Sequence, residues 1–271
     1  MSPEEISRYS RQLLLPEIGV LGQEKLKNAK VLLVGAGGLG SPVAMYLAAA
    51  GVGTLCVADF DQVDLSNLQR QIAYKTSDIG GQKTEIISKL LKEMNPLVNV
   101  IAHNSALTAK NALEVIKDYQ IVADCTDNFQ TRYLMNDACV LSGKPYVYGS
   151  VSGLKGQASL FYAKEGPCYR CLYPEPPPPA SKPNCLTSGV LGVLPGVIGC
   201  IMANMVLQFI ITHSAMIGRL LLFNAQKTNF DEVKIEKNED CPICGKNPSI
   251  KALVGYEDME ATCDSIANCF S

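Results

Sequence analysis

The glycine-rich turn at residues 35–40 constrains the fold of this 271-residue chain more than any other stretch. The apolar run Val31–Val34 predicts a buried strand, the turn reads Gly-Ala-Gly-Gly-Leu-Gly, and a helical pattern follows from Ser41 to Ala50. Glycines let such a turn close tightly, and the positive end of the next helix favours a phosphate beside the backbone N–H groups. Strand, turn and helix in this order predict a nucleotide-binding α/β fold.

The composition and the net charge limit which classes of protein and of binding partner this chain can represent. Hydrophobic residues make up 47% of the chain and charged residues 18%, as in folded globular proteins. The formal net charge of −2 argues against nucleic acid as a partner. The acidic start lacks the apolar segment of a signal peptide, which predicts a cytosolic protein. Eleven cysteines in that compartment indicate metal binding or thiol chemistry before disulfides.

Alternating strand and helix patterns predict one α/β domain with a Rossmann-like mixed sheet flanked by helices. We expect parallel strands in the N-terminal part and antiparallel strands in the C-terminal part. Residues 1–150 form a nucleotide-binding half, residues 151–245 a second half, and residues 246–271 a tail. Among the predicted elements are the strand Thr54–Ala58, the helices Thr84–Met94 and Asn128–Ser142, and a last strand at Glu232–Glu236.

Charged residues follow the glycine turn at positions that suit a nucleotide. Asp59 closes the second strand ~20 positions after the turn, where an acidic residue binds ribose hydroxyls. Asn67 and Arg70 lie one helical turn apart, and Lys83 opens the next helix. Two cations beside a phosphate site favour triphosphate chemistry, because charge must be neutralised as pyrophosphate leaves. Either cation alone is equally typical of an ordinary charged surface.

Asp127 follows the strand Ile121–Ala123 at the edge where open α/β sheets bind ligands. Its carboxylate is a candidate ligand for Mg²⁺ on the phosphates. The same residue is also a candidate N-cap for the helix that begins at Asn128. The two roles are compatible, and the sequence leaves both open.

The N-terminal stretch predicts one helix, capped by Ser2 and opened by Pro3. Ile6 and Leu14 belong to its apolar side. Arg8 and Arg11 are three residues apart and share a face, which by itself indicates only a solvated basic edge.

Two Cys-x-x-Cys pairs, Cys168 with Cys171 and Cys241 with Cys244, supply the four thiolates of a structural zinc site. The rival interpretation, a thioredoxin-like redox pair, fits poorly because two pairs occur without that fold's pattern. Cys263 and Cys269 in the tail have no predicted role.

A proline-rich stretch ends at Asn184 and Cys185 and predicts an extended, exposed connection. Cys185 is either an accessible reactive thiol or a cysteine partly buried where the loop rejoins the core, and the sequence does not separate the two.

Residues 186–218 contain no Asp, Glu, Lys or Arg and are long enough to span a membrane. Glycines and Pro195 interrupt the first half, and Asn204, Gln208 and His213 the second. We therefore predict a glycine-rich turn and then one buried helix at Gly196–Thr212, with no membrane partner.

In combination these residues resemble the MoeB/ThiF/HesA group of adenylyltransferases, relatives of the ubiquitin-activating enzymes. The resemblance runs from about Ile6 to Gly245, and its order and intervals are specific where each motif alone is weak. The stretches that carry it are Arg8-Tyr-Ser-Arg11-Gln, the glycine turn, Asp59-Phe-Asp61, Ser66-Asn-Leu-Gln-Arg-Gln71, Lys83, Asp124-Cys-Thr-Asp-Asn128, both Cys-x-x-Cys pairs and Asn184-Cys185.

The resemblance implies that ATP activates the C-terminal glycine carboxylate of a ubiquitin-like sulfur carrier ending in Gly-Gly, giving an acyl-adenylate and pyrophosphate. It implies thiocarboxylate formation for thiamine or molybdopterin biosynthesis, without separating the two pathways. The implied nucleotide and Mg²⁺ site consists of Gly37, Gly38, Asp59, Asn67, Arg70, Lys83, Asp127 with the Mg²⁺, and Asn128. The implied zinc ligands are the four cysteines of the two pairs.

The same resemblance implies a homodimer, because Arg11 matches an arginine that reaches into the partner subunit's site. Residues 151–245 would then also bind the carrier, and Cys185 matches the family's conjugating cysteine. No rhodanese-like domain fits in the remaining residues, so we expect a separate sulfur donor, a cysteine desulfurase or a rhodanese-like protein.

Two other classes of function stay open. An NAD-dependent oxidoreductase with a structural zinc would explain the glycine turn and Asp59, but it gives Arg70 and Lys83 no role, and no catalytic His or Tyr-Lys pair is evident. A non-catalytic relative that only binds the carrier is the other alternative.

Overall fold

The run Val31–Val34 lies in the strand at the switch point of an eight-stranded mixed sheet. The structure is a computed structural model that describes residues 1–177, 189–213 and 216–255. The strands are β1 (Lys30–Val34), β2 (Thr54–Ala58), β3 (Asn99–His103), β4 (Ile121–Asp124), β5 (Tyr146–Ser152), β6 (Lys155–Phe161), β7 (Arg219–Asn224) and β8 (Asn229–Lys234). The helices are α1 (Pro3–Arg8), α2 (Ser10–Leu13), α3 (Gly19–Asn28), α4 (Gly40–Ala49), α5 (Lys83–Met94), α6 (Ala112–Ile116), α7 (Phe129–Ser142), α8 (Tyr169–Leu172) and α9 (Leu194–Thr212).

The strand order is β3-β2-β1-β4-β5-β6-β7-β8. The first five strands pair in parallel and the last three pair antiparallel, which confirms the predicted mixed sheet. The chain runs outward from β1 in both directions, and such a reversal opens a crevice at the carboxyl ends of the strands. Val34 at the end of β1 pairs with Ala58 on one side and Asp124 on the other. The register therefore brings Gly35, Asp59 and Cys125 to one edge.

Helices cover both faces of the sheet, so the central strands β1 and β4 are apolar except for Lys30 at the start of β1 and Asp124 at the end of β4. Successive residues of β1 alternate between the two faces. Leu33 packs with Leu47 of α4 and Ile87 of α5, in the core on the α9 side. Leu32 packs with residues such as Tyr133 of α7, in the core on the opposite side.

The long apolar helix is α9, and its position confirms the prediction of a buried helix. It begins at Leu194, with Pro195 in its first turn, and ends at His213. By length and hydropathy it is able to cross a membrane, yet over half of its most apolar window is buried inside the fold. Met202 lies directly on β5, where a Cβ on Gly149 would come within 2.2 Å of its sulfur.

Two predicted elements differ most in extent from the structure. The N-terminal helix divides into α1 and α2 at Tyr9, which is buried because its hydroxyl accepts a hydrogen bond of 2.9 Å from the Asn95 side chain. As a result Ile6 and Leu14 are exposed, not packed inward. The last strand is Asn229–Lys234, not Glu232–Glu236, because a tight turn ending at Thr228 pairs Asn229 with Asn224.

Candidate active site

A cavity of about 780 Å³ opens at the carboxyl ends of β1, β2 and β4. Its wall includes seven of the eight residues predicted to bind the nucleotide and Mg²⁺. They are Gly37, Gly38, Asp59, Arg70, Lys83, Asp127 and Asn128. The structure thus brings together residues that are spread over about a third of the chain.

The glycine turn forms one wall, and two of its glycines are required by close backbone packing. Gly35 has a φ of +93°, and a Cβ there would meet the carbonyl group of Cys125 at 3.0 Å. A Cβ on Gly40 would lie 2.0 Å from the Gly35 oxygen. Gly37 is different, because the nearest atom to a Cβ there is Gln71 Nε2 at 3.5 Å. The backbone at Gly37 is therefore open to the cavity.

Asp59 is held by the turn that it faces. Its Oδ2 accepts a hydrogen bond of 2.7 Å from the N–H of Ala36, and its Oδ1 accepts one of 2.8 Å from the N–H of Asp61. A carboxylate oxygen accepts more than one hydrogen bond, so both oxygens retain capacity for hydroxyl donors. This geometry suits a ribose.

Lys83 is the first residue of α5, and its side chain is only 6% exposed. Its Nζ lies 2.8 Å from Asp61 Oδ2, on a carboxylate that is half exposed. The sequence predicts no role for Asp61, because no local pattern indicates that it pairs with Lys83. The pair holds a buried cation at the cavity wall.

Arg70 and Asn67 are separated by the structure. Arg70 lines the cavity, and its Nη1 donates a hydrogen bond of 2.9 Å to the Ser66 carbonyl. Asn67 is outside the cavity wall, and its side-chain oxygen accepts a 3.3 Å hydrogen bond from the N–H of Asp64 across a 3₁₀ turn. In this arrangement Arg70 and Lys83 are the two predicted cations that line the cavity.

The loop after β4 forms the opposite wall. Asn128 is the N-cap of α7, because its Oδ1 accepts a hydrogen bond of 2.8 Å from the N–H of Thr131. The alternative in which Asp127 caps this helix was therefore wrong, since the helix starts one residue later than that role needs. Asp127 lies exposed on the cavity wall.

Asp124, just before this loop, is completely buried. Burial raises the pKa of its carboxyl, and hydrogen bonds from Thr126 and Tyr146 oppose that rise. The Thr126 hydroxyl lies 2.6 Å from Asp124 Oδ1, and the Tyr146 hydroxyl lies 2.6 Å from Oδ2. The carboxylate therefore orders the loop from within the core.

Arg11, like Asn67, is not brought to this cavity. Arg11 is exposed on α2 and is not part of the cavity wall. Cys185 lies outside the described residues.

Sequence reasoning missed three buried groups beside the cavity. Gln71 is 5% exposed, lines the cavity, and its Oε1 has no hydrogen-bond partner. The Tyr74 hydroxyl donates a 2.7 Å hydrogen bond to the carbonyl of Ala36 in the glycine turn. Arg132, in the first turn of α7, is 1% exposed and lines the cavity. Gln71 stood inside a quoted motif, but its partners come only from the tertiary fold.

The four cysteines of the two Cys-x-x-Cys pairs meet at a second site. Their sulfur atoms all lie within 4.8 Å of one another. The shortest separations are 3.4 Å for Cys171 with Cys244 and 3.5 Å for Cys168 with Cys241. A tetrahedral zinc with bonds of about 2.3 Å sets its sulfur ligands about 3.8 Å apart, so the cluster fits the ion.

Neighbouring hydrogen bonds favour the thiolate of Cys171 in this cluster. Hydrogen bonds from the thiols of Cys168 and Cys244, together with the N–H of Asn238, lower the pKa of Cys171 to about 6. A Cβ on Gly245 would lie 2.4 Å from the Glu239 oxygen, so the Cys-Pro-x-Cys-Gly turn closes tightly around the site. None of the eight cysteines among the described residues forms a disulfide.

Comparison with known proteins agrees with this geometry. A family model described as the ThiF family matches residues 9–243. A sulfur carrier protein adenylyltransferase of Thermus thermophilus is 47% identical over 94% of this chain and 96% of that protein. The adenylyltransferase and sulfurtransferase MOCS3 of Aedes aegypti is 47% identical over 97% of this chain, which spans 61% of that longer protein.

Solved structures share the fold. Escherichia coli MccB crystallised with ATP has a TM-score of 0.77 and 25% identity, over 88% of this chain and 74% of that one. PaaA has a TM-score of 0.75 at 22% identity, over 88% of this chain and 76% of that one, and shows the fold alone.

Proposed function

The chain belongs to the ThiF family, and on that premise we propose that it uses ATP to adenylate the C-terminal Gly-Gly carboxylate of a ubiquitin-like sulfur-carrier protein. Relatives that match nearly the whole chain are named as adenylyltransferases. The observation that carries the proposal is the cavity in which an open glycine turn faces the cations of Arg70 and Lys83. A hydride-transferring dehydrogenase needs no such pair.

Each nucleotide contact follows from the position of a residue around the cavity. Gly37 and Gly38 leave the backbone accessible to the phosphates, and Asp59 receives the ribose hydroxyls. Arg70 and Lys83 neutralise charge that develops on the departing pyrophosphate. Asn67 belongs to the same proposed phosphate set: its Oδ1 accepts from the N–H of Asp64, and its Nδ2 would be the group that donates to a phosphate.

The reaction balances without an added base. A carboxylate oxygen of the carrier's last glycine attacks the α-phosphorus, and the bond to the bridging oxygen of pyrophosphate breaks. The products are an acyl-adenylate and pyrophosphate. A persulfide of the sulfur donor then attacks the acyl carbon and displaces AMP, which gives an acyl disulfide. A second thiol attacks the donor's sulfur, breaks the S–S bond and releases the thiocarboxylate, with a disulfide as the other product. The cations of the cavity act on the first step.

Asp127 and Asn128 place oxygen atoms on the wall that faces the glycine turn. Carboxylate oxygens are the ligands that Mg²⁺ takes alongside nucleotide phosphates, so the donor set fits this ion. When bound, Mg²⁺ would supply charge neutralisation on the phosphates. The four-cysteine cluster leaves no open position, so we assign zinc there a structural role.

The remaining partners are part of the same proposal. Arg11 would enter the cavity of a second subunit, which requires a homodimer with two composite sites. The sulfur donor would be a separate cysteine desulfurase or rhodanese-like protein, and Cys185 would act in the later transfer. We place the reaction in the cytosol, where cysteines remain reduced. Whether it serves thiamine or molybdopterin synthesis depends on the carrier.

Exchange of labelled pyrophosphate into ATP tests the proposal directly. We expect Mg²⁺-dependent exchange with a purified carrier ending in Gly-Gly and none with the same carrier shortened by its last glycine. The variant Lys83→Met should abolish exchange, while Lys89→Met, an exposed position on the same helix, should not.

Other outcomes would reassign the cavity. Binding of NADH but not ATP would support the oxidoreductase alternative. Carrier binding that survives Lys83→Met, with no AMP formed by the wild-type chain, would make the protein a non-catalytic carrier binder. The carrier that supports exchange names the pathway.

A further inference from the structure

Arg132 is a buried cation that the reaction scheme above does not use. It is 1% exposed and lies between the rings of Phe129 and Tyr148, with its guanidinium carbon 5.3 Å and 5.5 Å from their centroids. Within residues 1–177, 189–213 and 216–255, its Nε and Nη1 have no hydrogen-bond acceptor, and no carboxylate comes within ion-pair distance of it. Aromatic faces therefore hold this guanidinium in place.

The one side-chain hydrogen bond of Arg132 goes to the loop after β4. Its Nη2 donates a hydrogen bond of 3.1 Å to the carbonyl of Thr126. On the other side of Thr126, the N–H and the hydroxyl donate to Asp124 Oδ1 at 2.9 Å and 2.6 Å. Thr126 is thus held between a buried anion and a buried cation. We call Asp124, Thr126 and Arg132 the Thr126 clamp.

The Thr126 clamp lies directly beside two residues of the cavity wall. Asp127 and Asn128 directly follow Thr126, and both line the cavity. On the other side, a Cβ on Gly35 would meet the N of Thr126 at 3.2 Å, so the loop packs against the glycine turn. A shift of Thr126 by a few tenths of an ångström would therefore move one wall of the cavity relative to the other.

We propose that Arg132 is a positioning residue for nucleotide binding: through the Thr126 carbonyl it fixes the loop that presents Asp127 and Asn128 to the phosphates. The proposal rests on the proposed function only for the identity of the nucleotide. Arg132 touches no reacting atom in this scheme. Its effect should appear in ligands that reach the Asp127 side of the cavity and not in ligands that stop at Asp59.

The test compares two nucleotides by calorimetry, without any carrier. For Arg132→Met we expect the Kd of ATP with Mg²⁺ to rise about tenfold or more, since a hydrogen bond from a charged group is lost. The Kd of AMP without metal should change less than about twofold. Arg132→Lys keeps a cation that can donate to Thr126 and should recover part of the loss. Equal weakening of ATP and AMP would show a merely structural role and overturn the proposal.

A double-mutant cycle with Asp127→Asn identifies the route of the effect. If Arg132 acts through Asp127, Arg132→Met should cost little further ATP affinity in the Asp127→Asn background. Fully additive losses would overturn the proposal. Lys144→Met is the matched control, because the Lys144 ammonium also donates to a backbone carbonyl, that of Lys117 at 2.8 Å, but does not line the cavity. It should leave the ratio of ATP to AMP affinity unchanged.

Failure of this inference is distinguishable from failure of the proposed function. A wild-type chain that binds ATP but exchanges no pyrophosphate with any carrier contradicts the proposed function alone. Unchanged ATP affinity in Arg132→Met and Arg132→Lys, with normal exchange, contradicts the role of Arg132 alone.

Discussion

Two alanine substitutions in the glycine turn should have opposite consequences. In Gly40→Ala the new methyl group would lie 2.0 Å from the Gly35 carbonyl oxygen, between β1 and α4. Neither atom belongs to a flexible side chain, so the backbone must move. In Gly37→Ala the nearest atoms belong to the Gln71 side chain, at 3.5 Å and 3.9 Å, which is ordinary contact. The first change disturbs the fold, and the second disturbs only the cavity.

The magnitudes follow from these distances. Forcing extra volume into a packed site costs about 3 kcal/mol or more of unfolding free energy. For a protein of this size each kcal/mol lowers the melting temperature by about 2–4 °C, so Gly40→Ala should lose roughly 10 °C. Gly37→Ala should change the melting temperature by no more than roughly 2 °C, because alanine reduces the entropy of the unfolded chain by about 0.5 kcal/mol. Its methyl stands at the phosphate wall, so the Kd of ATP should rise about tenfold or more.

Calorimetric melting curves and ATP titrations of both variants measure these changes in melting temperature and in ATP affinity. Gly37→Ala with unchanged ATP affinity would refute the assignment of the turn to the phosphates. Gly40→Ala with an unchanged melting temperature would show that the contact of Gly40 with the Gly35 oxygen does not constrain the turn. The wild-type protein and Gly19→Ala are the controls. Gly19 has a positive φ, but a Cβ there would have no neighbouring atom within 4 Å, so Gly19→Ala measures the conformational cost of alanine without a steric cost.

Three further predictions address the remaining sites. Equal mixing of Arg11→Ala with Lys83→Met should restore pyrophosphate exchange that neither variant has alone, because a mixed dimer contains one intact composite site; no restoration would contradict the partner-subunit role of Arg11. Cys185→Ala should leave pyrophosphate exchange unchanged and slow the later formation of thiocarboxylate, measured by mass spectrometry of the carrier, whereas equal loss of exchange would place the residue in the first step. Cys241→Ser should abolish bound zinc, measured by elemental analysis, and lower the melting temperature by roughly 10 °C or more, whereas the exposed Cys200→Ser should do neither; an unchanged melting curve after verified metal loss would contradict a structural role.

The parts of the fold that depend on local pattern were predictable from sequence. Thr54–Ala58 was predicted with its exact ends as β2, because a buried parallel strand is a continuous apolar run bounded by turn residues. Asp59 followed from its place after that strand. The glycine turn followed from its motif, and the family inferred from the combination is confirmed.

Interactions between distant segments were not predictable in the same way. Asp61 pairs with Lys83 across 22 positions, and Arg132 reaches back to Thr126 across the start of α7. No periodicity marks Arg132, since a charged residue in a predicted helix is normally solvent-exposed. The predicted start of α7, which made Asp127 its N-cap, was one residue too early, because Asn128 supplies the same capping chemistry at the next position.

The helix α7 joins the cavity to the cysteine cluster, and a metal bound at that cluster would act on the cavity through this helix. At its N-terminus Asn128 caps the helix and lines the cavity. Two turns later the Asn136 side chain accepts a hydrogen bond of 2.8 Å from the N–H of Tyr169, and Asp137 binds Arg170 through two contacts of 2.8 Å and 2.9 Å. Tyr169 and Arg170 lie between the zinc-ligand positions 168 and 171. Because a buried ion pair is strongly destabilising when one partner moves away, disorder in that turn would take Arg170 away from Asp137 in the middle of α7. A metal bound by the four cysteines would therefore hold the middle of the helix whose N-terminal end forms the cavity wall.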